Sequence, residues 1–187
     1  MLYKGMAVPF EMAAFEDMNK RQAEQYLTWY IDTIEQRINN LSEYVVSTGT
    51  HIAFDKSPES LIGLWDWFSK HIETGKVTEE DLRERPEWIK KHILDDGRKL
   101  SVNTVVMAYD ISAYYGETVI KNNPVIKWGY RSKPKKLYGV NRPRLLGFAG
   151  DMSVYPYGTV EMCIWKTLEN ENNMQLFDRY NVCVSMI

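Results

Sequence analysis

Residues 101–130 read SVNTVVMAYDISAYYGETVIKNNPVIKWGY, and the pattern that decides the fold changes within them. Before Pro124 the apolar residues recur at helical spacing, and Ser101 is suited to cap such a helix. After Pro124 come short runs of β-branched and aromatic residues separated by Gly and Pro, which is typical of strands. The predicted buried face of the helix, at about 100° per residue, consists of Val102, Val105, Val106, Tyr109, Ala113, Gly116 and Ile120. Gly116 costs helix stability, so we expect it to mark a close crossing with another helix.

The chain on the N-terminal side of this stretch is predicted to be helical. Residues 19–49 carry apolar side chains at three- and four-residue spacing, with Asn19 in position to cap the first turn. Residues 57–75 carry a second apolar stripe at helical spacing, and Ser57 is in position to cap the start of this helix. Residues 78–97 are predicted as a third helical piece, because acidic residues fill its first turn.

The chain beyond Pro124 is predicted to form two or three antiparallel strands, at residues 125–132, 135–140 and 144–150. Residues 158–172 return to helical spacing, and the apolar residues 180–187 are expected to be a buried strand or a packed tail. The expected architecture is therefore α+β, with a helical N-terminal two-thirds packed on a small antiparallel sheet and one late helix. No repeat or linker divides the sequence, so residues 1–187 are expected to form a single domain.

The charge of the chain is unevenly distributed. The net charge is −2, which excludes a whole-chain field that would draw the protein to nucleic acid or a membrane. Residues 121–150, however, contain eight Lys or Arg and no Asp or Glu, while the rest of the chain holds 15 basic and 25 acidic residues. The sequence therefore predicts an acidic body with one basic segment.

The compartment is inferred from the cysteines and from the hydropathy pattern. Cys163 and Cys183 both lie in apolar sequence and are predicted to be buried thiols in a reducing cytosol. The N-terminal residues lack a signal-peptide pattern, and no run approaches the ~20 apolar residues of a membrane span. A cytoplasmic protein with no membrane association is expected.

Motifs with a specific chemical meaning are missing from the sequence. Gly75-Lys76 is followed by Val77, which breaks the P-loop pattern, and neither a GxGxxG nor a GxSxG run occurs. The three histidines are each about twenty residues apart, at His51, His71 and His92, with no HExxH or CxxC spacing. We therefore expect neither a metal site nor a cofactor.

Three residues of the predicted long helix are candidates for catalysis. Asp110, Tyr114 and Glu117 form one stripe with Lys121 along the border of its predicted buried face. Two carboxylates at a half-buried edge could serve as acid and base in a hydrolase-like enzyme, with Tyr114 or Arg131 stabilising charge. The alternative is structural: a Glu117–Lys121 ion pair beside an Asp–Tyr hydrogen bond that holds the sheet against the helix.

The basic segment supplies the candidate binding residues, which are Trp128, Tyr130, Arg131, Lys133, Lys135 and Lys136. Trp, Tyr and Arg are the residues that dominate binding energy at protein interfaces, and the lysines would suit an acidic partner. The same mixture could stack bases and track a phosphate backbone, although the acidic body opposes wide contact with nucleic acid. A third reading is a hairpin whose lysines protect an edge strand or neutralise the acidic helices.

Three runs carry a resemblance to a class of proteins: DISAYYGE at 110–117, KWGY at 127–130 and YPYGTVEMCIWKTL at 155–168. Together they resemble small uncharacterised bacterial cytoplasmic proteins, some of which neighbour toxin–immunity loci. The resemblance assigns no catalytic residue and implies a binding role. A non-enzymatic, immunity-like protein-binding module is therefore the leading hypothesis, ahead of the hydrolase-like and single-stranded nucleic-acid-binding alternatives. The sequence does not define the oligomeric state.

Overall fold

The computed structural model describes residues 3–78, 97–169 and 175–187. Six α-helices lie within these residues: α1 Lys20–Asp32, α2 Ile34–Ser47, α3 Ser60–Ser69, α4 Val102–Asn122, α5 Pro156–Leu168 and α6 Leu176–Val184. Five short strands accompany them: β1 Thr74–Lys76, β2 Arg98–Leu100, β3 Lys127–Gly129, β4 Arg144–Leu146 and β5 Ser153–Val154. The predicted α+β class, with a helical majority and small antiparallel sheets, is confirmed.

The helix predicted over residues 19–49 is present as α1 and α2, with an interruption at Thr33 that was not predicted. Asn19 caps α1 as predicted, because its side-chain oxygen accepts the backbone N–H of Gln22 at 3.0 Å and the Gln22 side chain accepts the N–H of Asn19 in return. The Thr33 hydroxyl donates to two carbonyls of the last turn of α1, each at 3.0 Å. Such back-bonding is a common cause of a bend between consecutive helices.

Helix α4 lies at the centre of the fold and packs against α2, α5 and α6. Ser101 caps it as predicted, since its side chain accepts the N–H of Thr104 at 3.1 Å. The predicted buried face is wrong in detail: Val102 is 80% exposed, whereas Tyr114 and Tyr115 are fully buried. A helix with neighbours on several sides buries most of its circumference, so a single apolar stripe does not describe it.

Two antiparallel sheets flank α4. The three-stranded sheet has the order β3-β4-β5, with Trp128 opposite Leu145 and Leu145 opposite Val154. Two of the three predicted strands are therefore confirmed, while residues 135–140 form turns in which Gly139 has a φ of +72°. The antiparallel pair β1–β2 and strand β5 were not predicted, because two- and three-residue strands carry too little alternating pattern to be recognised.

Three further predictions need correction or fall outside the described chain. Helix α3 begins at Ser60 and not behind Ser57, whose carbonyl and hydroxyl instead accept the N–H of Ser60 at 3.2 and 3.3 Å. The helix predicted over 78–97 lies, apart from its two ends, outside the described residues. The strand that was one prediction for residues 180–187 is wrong, because helix α6 occupies most of this segment. The packing predicted for it is confirmed, since Tyr180 and Cys183 are buried and Val184 and Met186 pack against the core.

A continuous cluster of buried side chains connects the helices and the three-stranded sheet, from Met18 near the start of α1 to Cys183 in α6. The late helix predicted over 158–172 is present as α5, which begins with Pro156 at its first position. None of the described helices combines the length and the apolar character needed to cross a bilayer.

Both cysteines are free and buried, at 0% exposure for Cys163 and 2% for Cys183. Burial raises the pKa of Cys163 to about 12 and that of Cys183 to about 11. Because the thiolate is the reactive form, we expect neither cysteine of the native protein to react with a thiol reagent at neutral pH. Both should react once the chain is unfolded in denaturant, as counted by mass spectrometry. Rapid native labelling of either thiol would contradict this packing.

Candidate functional site

Asp110 is fully buried in α4 and belongs to a hydrogen-bonded network of four residues. The Tyr3 hydroxyl donates to one of its carboxylate oxygens at 2.6 Å, and the Arg37 guanidinium donates to the other at 2.7 Å. Arg37 is itself only 5% exposed and donates from Nε to the Thr33 hydroxyl at 3.1 Å. Burial raises the pKa of Asp110, and the two hydrogen bonds and the positive charge of Arg37 partly oppose that rise. The network ties the N-terminal segment to α2 and α4.

Tyr114 holds the segment that leads into α3. Its hydroxyl lies 2.6 Å from the Ser60 hydroxyl and accepts the backbone N–H of Lys56 at 3.0 Å. Lys56 has a positive φ of 59°, so its backbone hydrogen bond to Tyr114 fixes a conformation that non-glycine residues adopt only rarely. Burial raises the pKa of Tyr114, so its hydroxyl remains protonated at neutral pH.

Glu117 bonds to partners different from those of Asp110. One of its carboxylate oxygens accepts the indole N–H of Trp128 at 2.8 Å, and the other lies 3.5 Å from the Lys56 ammonium group. Lys121, the predicted partner of Glu117, instead donates to the carbonyl of Asp55 at 2.6 Å. The two carboxylates of the predicted stripe thus have no shared partner among the described residues, and each one joins α4 to a different part of the fold.

Asp110 and Glu117 line neither of two cavities that are formed by described residues. The larger, of about 340 Å³, is an open groove at the start of α3, lined by His51, Ile52, Ala53, Ser57, Glu59, Ser60 and Gly63. The smaller, of about 10 Å³, we call the tyrosine cleft; it is lined by Tyr26, Tyr30, Tyr109, Ser112, Arg142, Pro143, Tyr155, Pro156 and Tyr157. Within residues 3–78, 97–169 and 175–187, no group of three His, Cys, Asp or Glu is placed to hold a metal ion.

Trp128 is half-buried and packs against the helices. Its ring lies edge-on to the ring of Tyr30, with 5.3 Å between centroids. A Cβ atom at Gly116 would overlap this indole, so the glycine of α4 marks the crossing of a ring and not the predicted crossing of another helix. Tyr130, the residue directly after the same strand, is also half-buried against the core.

Arg131 is engaged with the neighbouring strand. Its guanidinium donates to the two carboxylate oxygens of Asp151 at 3.0 and 2.7 Å, and its Nε donates to the Ser153 hydroxyl at 3.1 Å. The hydrogen bonding from Arg131, together with its positive charge, lowers the pKa of Asp151. Because the Asp151 side chain is 87% exposed, solvent screens this pair and it contributes little to stability.

The three predicted lysines lie on the connection between β3 and β4, residues 130–143, which we call the lysine loop. Lys133, Lys135 and Lys136 are all exposed, and Lys135 donates to the backbone carbonyl of Glu16 at 2.9 Å. In the part of the chain that the structure describes, neither Lys133 nor Lys136 forms an ion pair. The structure thus separates the predicted binding set into three packed or paired side chains and three exposed lysines.

The backbone of the lysine loop is fixed by its own bonds. Asn141, which is 1% exposed, donates through its side-chain amide to the carbonyl of Phe15 at 2.6 Å and through its backbone N–H to the carbonyl of Arg131 at 2.8 Å. Turn hydrogen bonds of 2.9 Å from Leu137 to Pro134 and from Val140 to Leu137 order the rest. The exposed lysines therefore project from a defined backbone.

The tyrosine cleft was missed by sequence reasoning. Arg142 donates to the Tyr109 hydroxyl at 2.6 Å, and its guanidinium lies 3.9 Å from the centre of the Phe15 ring. The rings of Tyr109 and Tyr157 stack with 4.2 Å between centroids. These residues come from the N-terminal segment, α4, the lysine loop and α5, so the only sequence signal was the abundance of tyrosine near a basic segment.

No family model, curated protein or solved structure matches this chain.

Proposed function

We propose that this chain is a non-enzymatic protein-binding module that uses the lysine loop to hold an acidic protein partner. The observation that carries the proposal is the exposure of Lys133 and Lys136 on an ordered backbone, without an ion pair among the described residues. Cationic side chains fixed in this way lose little backbone entropy when a partner binds. They would also speed the encounter with a negatively charged surface.

The remaining predicted residues support the loop in this proposal and do not contact the partner directly. Arg131, through Asp151, and Asn141, through Phe15, hold the two ends of the lysine loop in place. Trp128 packs the preceding strand onto α4. The resemblance to immunity-type proteins of the bacterial cytoplasm fits the same role. The two buried cysteines, which form no disulfide, fit a reducing compartment.

The two alternatives have less support. A hydrolase that used Asp110 and Glu117 would need both carboxylates to face one substrate, but they bond to separate partners and line neither of the two cavities described above. Single-stranded nucleic acid would need several free aromatic rings for stacking, whereas Trp128 and Tyr130 pack against the core and Tyr138 alone of the three rings of this segment is exposed. The acidic remainder of the chain would also repel a phosphate backbone.

The proposal is tested by reversing the charge of the loop. The variant Lys133→Glu/Lys135→Glu/Lys136→Glu should remain folded, because all three side chains are exposed, and should lose a partner that the wild-type chain captures from the native lysate. The captured proteins are identified by mass spectrometry. The partner should carry an acidic surface, and moderate salt should release it, because exposed charges are screened within about 8–10 Å.

A matched control carries the same change of charge elsewhere. Lys4, Lys70 and Lys76 are also exposed, and their replacement by Glu should leave capture unchanged. Equal capture by the wild type and the loop variant would refute the role of the lysine loop. If the loop variant and the control variant lose capture equally, the effect depends on the net charge of the chain and not on the position of the lysines.

A further inference from the structure

The tyrosine cleft is continuous with the lysine loop. Arg142 and Pro143 are the last residues of the loop and also line the cleft. Arg142, Tyr109 and Tyr157 are half-buried and form its accessible side, whereas Tyr26 and Ser112 are buried beneath them. A partner that covers the loop would therefore meet this cleft at the edge of the same surface.

The Arg142 guanidinium has capacity for another hydrogen-bonding partner. It donates to the Tyr109 hydroxyl, and the Phe15 ring covers one of its faces. Among the described residues, no carboxylate lies within 4.0 Å of the guanidinium. The N–H groups that do not bond to Tyr109 can therefore donate to an incoming acceptor. A half-buried arginine that forms no ion pair among the described residues gains more from an incoming anion than a fully hydrated lysine does.

Glu161 is the neighbouring carboxylate, and it is already occupied. The Tyr138 hydroxyl donates to it. Burial raises the pKa of Glu161, and that hydrogen bond and the charge of Arg142 partly offset the rise. Glu161 thus tempers the positive field of the cleft without pairing with the guanidinium.

The size of the cleft selects the kind of group that enters. A volume of about 10 Å³ matches roughly one water molecule, whereas sites for small molecules span roughly 300–1,000 Å³. The cleft therefore has room for one oxygen atom of a carboxylate whose remaining atoms stay at its mouth, and it excludes a nucleobase or a free metabolite of ordinary size. A planar carboxylate fits the planar fork of an arginine and can also accept the proton of the Tyr109 hydroxyl.

We infer that the tyrosine cleft anchors the acidic partner by receiving one of its Asp or Glu side chains, which pairs with Arg142. This inference rests on the proposed function and adds the central contact to it. The lysine loop supplies attraction at long range, and the cleft supplies a half-buried arginine framed by tyrosines, which is the composition of an interface hot spot.

The test uses a fluorescent poly-glutamate peptide as the probe at low salt. Its affinity is measured by anisotropy, and the Nε–H resonance of Arg142 is followed by NMR during the titration. We expect the wild-type chain to bind and the Arg142 resonance to shift on saturation. Arg142→Lys keeps the charge but loses the fork, so binding should weaken by about tenfold or more. Arg21→Lys, at an exposed position in α1, is the matched control and should bind as the wild type does.

The outcomes separate this inference from the proposed function. If the triple lysine variant loses the peptide while Arg142→Lys retains it and the Arg142 resonance stays still, the cleft inference fails and the lysine loop stands. If the wild-type chain does not bind the peptide, the inference is overturned. Capture from lysate then tests the role of the lysine loop independently. If the Arg142→Lys variant does not fold, the Arg142 Nε–H resonance of the wild-type chain provides the test: a shift on saturation supports the inference, and an unchanged resonance overturns it. Tighter binding of a single-stranded oligonucleotide than of the peptide, with the same resonance shifted, would also overturn it.

Discussion

Replacing Asp110 with Ala is expected to lower the free energy of unfolding by about 3–5 kcal/mol. The change leaves the charge of Arg37 buried without its counter-ion, because Arg37 is 5% exposed and its bond to Asp110 is 2.7 Å long. An arginine cannot escape this cost by losing its proton. Urea denaturation should therefore give a much lower midpoint with an unchanged slope.

Two control variants identify the source of the effect. Tyr3→Phe removes one hydrogen bond to Asp110 and should cost only about 1–2 kcal/mol. The double variant Asp110→Leu/Arg37→Met removes both charges and should recover most of the stability, since a buried ion pair is often replaceable by apolar side chains. A more stable Asp110→Ala variant would reverse the interpretation, because removal of a catalytic group commonly stabilises an enzyme.

The local features of the fold were predictable from the sequence. The caps at Asn19 and Ser101 depend on residues three positions away, and the helices that they begin were recognised from periodicity. The exposure of Val102 was not predictable, because it depends on which neighbours surround α4. The segment 135–140 has the composition of a strand but lies among turns, so tertiary context overrode its preference.

Part of the candidate site was likewise predictable from the sequence, and part was not. The exposure of Lys133, Lys135 and Lys136 follows from charge, because a lysine is rarely buried. The partners of Asp110, in contrast, lie 73 and 107 residues away in the sequence, and no spacing rule reaches that far. Aromatic residues are equally suited to a core or an interface, so the sequence left the role of Trp128 open.

Replacing Trp128 with Ala is expected to lower the free energy of unfolding by about 3 kcal/mol, the low end for a tryptophan because the side chain is half-buried. The variant loses the contact with Tyr30 and the hydrogen bond to Glu117. Thermal and urea unfolding measure the loss. Under conditions in which the variant remains folded, it should still capture the partner, because Trp128 acts by holding β3 against α4. Loss of capture by a fully folded variant would make Trp128 a direct contact.

The substitution Gly116→Ala tests the same packing from the helix side. In the wild-type background the added methyl overlaps the Trp128 ring, so overpacking should cost about 1–3 kcal/mol. In a Trp128→Leu background the obstructing ring is gone, and Ala should then stabilise the helix by up to about 1 kcal/mol relative to Gly. The sign of one substitution therefore depends on the residue at position 128, which is the signature of direct contact in a double-mutant cycle. The same sign in both backgrounds would mean that Gly116 is required by the helix backbone and not by the indole of Trp128.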